Sequence, residues 1–155
     1  MAENPVKESE PVENSCINSA LFTDFYELTM AHGYWREKMN QRVAFDMFFR
    51  RNPFNGGFSV LAGNETLLDA ITSFRFSKAD IDYLASQKMF DQGFLDYLST
   101  WHFTGDLYTM DEGTVIFPQE PIVRIEADLI EAQIVEGLIL NHINFQSLIA
   151  TKTAR

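Results

Sequence analysis

Two places in the sequence have residue types suited to holding a small, flat, anionic ligand: Tyr26 and the pair Arg50-Arg51. Tyr26 stands at the opening turn of a predicted helix, where free backbone N–H groups and a partial positive charge collect. A tyrosine there can stack on an aromatic ring while the helix end attracts an anionic group. The same residue also suits plain core or cap packing. Asp24 works against simple anion capture, because it fills the helix cap itself. Arg50-Arg51 place two guanidinium forks where an aromatic strand meets a glycine-rich loop. Such forks match phosphates and carboxylates, although strand-end arginines also serve as solvated charges. Neighbouring strand residues point to opposite faces, so both reach one ligand only if the strand ends or bulges there. Lys152 and Arg155 form a weaker basic group, equally explained by pairing with a helix C-terminus.

Other chemistry has little support. No Walker-type glycine loop, Rossmann fingerprint or hydrolase elbow is present. His32, His102 and His142 are far apart and have no cysteine beside them, so each reads as a helix-surface or packing residue rather than a metal ligand. The single cysteine, Cys16, excludes an internal disulfide framework and fits a reducing compartment.

The elements that must position these side chains follow from patterning. Residues 1–19 carry Glu3, Glu8, Glu10 and Glu13 with Pro5 and Pro11, an acidic leader expected to be flexible. Residues 20–155 are expected to form one domain. Asp24 and Glu27 have capping-box spacing, and Phe25, Leu28, Thr29, His32 and Trp35 recur at helical intervals to about Glu37. Val43 to Arg51 alternates as a strand. Three short helices follow, around Leu67 and Ile71, around Ile81 and Leu84 behind a Ser77/Asp80 box, and around Phe94 and Leu98. Leu107–Thr109, Thr114–Phe117 and Ile122–Ala127 then read as short antiparallel strands separated by turns. A long helix from about Glu131 to Thr153 closes the chain. The fold class is α+β. An apolar helix ending at Arg155 without a Gly or Asn stop suggests the front of a longer protein.

The composition agrees. The chain has 155 residues, 46% hydrophobic and 22% charged, with Phe supplying 14 of them, enough for one domain with a core. The net charge of -10 argues against a general nucleic-acid binder. No secretory signal or membrane-spanning run is present, so a cytoplasmic protein is expected.

Three blocks resemble the nicotinate phosphoribosyltransferase family in order. They are Leu21-Phe22-Thr23-Asp24-Phe25-Tyr26-Glu27-Leu28-Thr29-Met30, Phe45-Asp46-Met47-Phe48-Phe49-Arg50-Arg51-Asn52-Pro53-Phe54, and Asn144-Phe145-Gln146-Ser147-Leu148-Ile149-Ala150-Thr151-Lys152-Thr153-Ala154-Arg155. The resemblance implies the N-terminal domain of a type II phosphoribosyltransferase, without the irregular α/β barrel that follows it. It implies formation of nicotinate mononucleotide and pyrophosphate from nicotinate and phosphoribosyl pyrophosphate, coupled to ATP hydrolysis with Mg²⁺. Homodimers with shared active sites are implied as well. Tyr26 would stack on the pyridine ring, and Arg50, with Arg51 second, would approach the phosphoribosyl phosphates. No catalytic residue or metal ligand is expected within the chain, which would be inactive alone. A nicotinamide-using relative and a non-catalytic interaction module of the same fold are the alternatives.

Overall fold

The computed structural model describes residues 20–155; the expected acidic leader and Cys16 lie outside them. Helix α1 (Phe25–Arg36) begins after Asp24, whose extended backbone makes it the N-cap. It is followed by strand β1 (Arg42–Met47), a short 3-10 turn (Pro53–Asn55) and strand β2 (Ser59–Val60). Helices α2 (Asn64–Ser73), α3 (Lys78–Ser86) and α4 (Gln92–Thr100) come next, then strands β3 (Asp106–Thr109), β4 (Val115–Ile116) and β5 (Val123–Asp128). Helices α5 (Leu129–Ile134) and α6 (Glu136–Thr153) complete the chain.

The three short helices form where patterning places them. The Ser77/Asp80 capping box is present in both directions, hydroxyl to backbone and carboxylate to backbone, which satisfies two of the free N–H groups at the head of α3. Their apolar faces bury Leu67, Ile71, Leu84, Phe94, Leu95 and Leu98. Phe94 is fully buried and touches His32, Trp35, Phe90 and Tyr97, tying α4 to α1.

The main sheet has the order β1-β5-β3, all antiparallel. Strand β5 lies in the centre, and its alternate residues Val123, Ile125 and Ala127 are buried. Phe45 of β1 and Leu107 of β3 flank Ile125 in register, so apolar side chains form one row facing the core. On the opposite face Arg124 donates to both oxygens of its cross-strand partner Asp46, at 2.8 and 2.9 Å. That guanidinium holds the Asp46 carboxyl below the usual carboxylate range.

The structure corrects four expectations. Strand β1 stops at Met47 rather than Arg51, because the ladder with β5 ends at the Met47–Val123 pair; beyond it the Gln119 N–H still donates to the Phe49 carbonyl at 2.8 Å, outside the strand pairing. Strand β4 leaves the expected three-strand group and pairs with β2, a strand hidden in the glycine-rich stretch. Asp24 caps α1 by backbone position alone, with no side-chain bond, and Glu27 does not reach back to it. The closing helix is two helices meeting at Val135. There the Gly137 N–H donates to the Glu27 carboxylate at 3.1 Å, a side chain inserted at the start of a helix.

Candidate functional site

Tyr26 occupies the first turn of α1 and is 46% exposed. Its hydroxyl donates to Glu136 Oε1 at 2.9 Å, and Gln133 Nε2 donates to the other oxygen of Glu136 at 2.7 Å. Desolvation and the hydrogen bond to Glu136, with smaller repulsions from Glu136, Glu27 and Asp24, push the phenol up to about 12. Tyr26 therefore stays protonated at neutral pH. It can stack and donate, but it cannot serve as a general base.

The next residue points inward. Glu27 is fully buried, and one carboxylate oxygen accepts from the Thr23 hydroxyl and the Gly137 N–H. Its other oxygen, Oε1, has no partner among the described residues. An acidic group at a helix start is favoured by the free N–H donors there, so Glu27 caps α6 rather than its own helix. Gly137 makes this approach close: an added Cβ would stand 2.9 Å from Glu27 Oε1 and 3.1 Å from the Thr23 hydroxyl, so either side chain would have to move to accept one. Burial is the largest cause raising Glu27, to about 7, while the bonds from Thr23 and Gly137 oppose it and the charges of Glu136 and Asp24 assist it.

This shift has a testable consequence. The folded protein holds the Glu27 proton more tightly than the unfolded chain, so its contribution to stability is present below pH 4.5 and is lost as pH rises through about 7. Glu27→Gln should flatten that decline. Urea midpoints at pH 5 and pH 8 check it; an equal decline in both proteins would contradict it.

Glu136 also lines a groove of about 360 Å³ between the sheet and the last two helices, with Phe45, Met47, Ile125, Ala132 and Ile139 among its walls. The Tyr26 hydroxyl thus bonds to a residue of the groove wall. Arg51 lines a second groove of about 250 Å³ with Phe49, Pro53, Ser59, Asn144, Ser147 and Leu148. Arg50 lies beside it on the surface. Both arginines follow the end of β1, so the opposite-face constraint on them is released. Neither has an ion-pair partner among the described residues. Tyr26 and Arg51 border the same helix, but Glu136 and Asn144 are eight positions apart, about 12 Å along its axis. The structure does not bring the three candidate residues into one pocket.

Phe54 was not singled out by the sequence. Its backbone is left-handed (φ 59°), and Lys152 and Arg155 sit over its ring at 4.9 and 5.8 Å. The cations at the end of α6 therefore clamp the loop after Arg51, through cation–π contacts. Spacing alone could not show this, because the contact spans about a hundred residues. His102 is exposed on the surface, whereas the other two histidines are held within the fold. His32 packs on Trp35, Phe90 and Phe94 and bonds to Asp91, and His142 bonds to the Leu138 carbonyl. No three His, Cys, Asp or Glu side chains among the described residues come together to hold a metal.

Residues 21–144 match the family model described as the nicotinate phosphoribosyltransferase N-terminal domain. The chain belongs to that family. It is 45% identical over 136 residues to a nicotinate phosphoribosyltransferase of Mycobacterium tuberculosis, covering 88% of this chain and 29% of that protein. The Bacillus subtilis nicotinate phosphoribosyltransferase is 44% identical over 137 residues, with 88% and 28% covered. The chain thus spans less than a third of the length of these relatives. The crystal structure of human nicotinic acid phosphoribosyltransferase superposes with a TM-score of 0.78 at 33% identity, over 85% of this chain and 27% of that one. A nicotinate-nucleotide pyrophosphorylase from Pyrococcus furiosus shares the fold, with a TM-score of 0.60 at 20% identity. The domain is the α+β N-terminal domain of a type II phosphoribosyltransferase.

Proposed function

We propose that this chain is one wall of a nicotinate phosphoribosyltransferase whose remaining walls lie in further sequence, including an α/β barrel. The full-length protein would join nicotinate to phosphoribosyl pyrophosphate, forming nicotinate mononucleotide and pyrophosphate with ATP hydrolysis. The observation that carries this reading is the 45% identity to a nicotinate-named relative across the domain. In the reaction a bond forms between the pyridine nitrogen and the ribose anomeric carbon as the bond to pyrophosphate breaks. Positioning and charge stabilisation dominate such a step. Tyr26 supplies a flat, protonated ring for the pyridine. Arg50 and Arg51, without an ion-pair partner among the described residues, supply positive charge for the phosphates. By the same family resemblance, Mg²⁺ would be carried on the pyrophosphate of the substrate.

The same reading includes a homodimer with shared sites, where Tyr26 serves the neighbouring subunit, and a cytoplasmic location. No helix among the described residues is long and apolar enough to cross a membrane. The chain by itself is read as inactive.

Full-length protein supplied with nicotinate, phosphoribosyl pyrophosphate, ATP and Mg²⁺ should release pyrophosphate and nicotinate mononucleotide. Turnover of nicotinamide instead, or of neither, would overturn the proposal. Arg50→Ala and Arg51→Ala should each raise the KM for phosphoribosyl pyrophosphate, roughly tenfold for loss of a charged hydrogen bond. An unchanged KM in either variant marks that arginine as a surface charge.

A further inference from the structure

We infer that Glu136 is a positioning residue for Tyr26, fixing the tilt of the ring on which the pyridine stacks; this rests on the reading of Tyr26 given above. Tyr26, 46% exposed on a first helical turn, is held only in part by packing, and fixing a partly free side chain costs conformational entropy at binding. Among the described residues the Tyr26 hydroxyl makes one hydrogen bond, to Glu136 Oε1. Glu136 is itself held. Its second oxygen accepts from Gln133, which is only 3% exposed, and its place in the first turn of α6 suits a negative charge.

The neighbouring contact fixes the two helices relative to each other. Glu27, one residue after Tyr26, grips Gly137, one residue after Glu136. Two successive residues of α1 therefore hold two successive residues of α6. The buried pair sets the helix positions, and the exposed pair sets the ring. An exposed hydrogen bond adds little to stability, so the Tyr26–Glu136 pair acts chiefly by preorganising the ring before the ligand arrives.

Steady-state kinetics of the full-length enzyme test this with Tyr26→Phe, Glu136→Leu, Glu136→Gln and Tyr26→Ala. Tyr26→Phe and Glu136→Leu should each raise the nicotinate KM about three- to tenfold, leaving kcat and the KM for phosphoribosyl pyrophosphate within about twofold. The double variant should be no worse than either single one, since both remove the same bond. Glu136→Gln, whose amide oxygen still accepts a hydrogen bond, should fall nearer the unmodified enzyme than Glu136→Leu does. If Tyr26→Ala raises the KM while Tyr26→Phe and Glu136→Leu leave it unchanged, stacking survives and the role of Glu136 is overturned. Multiplying effects in the double variant overturn it too. An unchanged KM in Tyr26→Ala removes the stacking reading, and the inference with it. Should Glu136→Leu fold poorly, Tyr26→Phe leaves α6 intact and decides the question alone.

Discussion

Phe94→Ala should lower the unfolding free energy of the domain by about 3–5 kcal/mol, measured by urea or thermal unfolding. Phe94 is fully buried in α4, and four rings surround it. His32 stands at 4.9 Å, Phe90 at 5.8 Å, Trp35 at 5.9 Å and Tyr97 at 6.2 Å between centroids. Truncation removes the transfer energy of the ring and leaves a void that rigid aromatic neighbours collapse into poorly. Lost ring–ring attractions add to the cost without summing as independent terms. Because His32 and Trp35 both belong to α1, the void loosens the seat of the helix that carries Tyr26. In the full-length enzyme the nicotinate KM should therefore rise as well. A loss below about 0.5 kcal/mol, the level of an ordinary surface change, would show that α4 does not anchor α1 in this way.

The second large effect concerns the ligand. Tyr26→Ala should weaken nicotinate use by roughly 1–3 kcal/mol, the range for losing one stacked ring, which is about 5- to 150-fold in kcat/KM. Its exposure at 46% means that little core packing is lost, so melting temperature should move far less than the kinetics. The phenol is raised to about 12, and no ionisation of Tyr26 should appear in the pH–rate profile near neutrality. A large fall in melting temperature with unchanged nicotinate kinetics would return Tyr26 to a structural role.

Much of this was legible in the sequence where the controlling interactions are local. The Ser77/Asp80 box, the three short helices and the apolar alternation of β5 depend on residues within a few positions of each other. Tyr26 and the Arg50-Arg51 pair could be picked out for the same reason, by residue type at the end of an element. Expectation failed where a distant partner decided the outcome. Asp24 and Glu27 have the spacing of a capping box, yet the Gly137 N–H, brought in by α6, competes for the Glu27 carboxylate and wins. The break at Val135 follows from the same contact. Strand β1 ends at Met47 because its ladder with β5 ends there, and β4 takes β2 as its partner across an intervening stretch with three helices. The clamp of Lys152 and Arg155 on Phe54 likewise joins positions that periodicity cannot relate.

The Glu27–Gly137 bond also sets a clock on synthesis. Its two residues are 110 positions apart, and a ribosome adding roughly 5–20 residues per second needs about 6–20 s to make the second after the first. Through that interval α1 exists without the helix start that its carboxylate caps, and Leu28 and Ala31, buried in the finished domain, have nothing from α5 or α6 to cover them. A domain closed by its last helix onto its first is vulnerable to misfolding longest at its own beginning. The segment that names the family is the one left waiting.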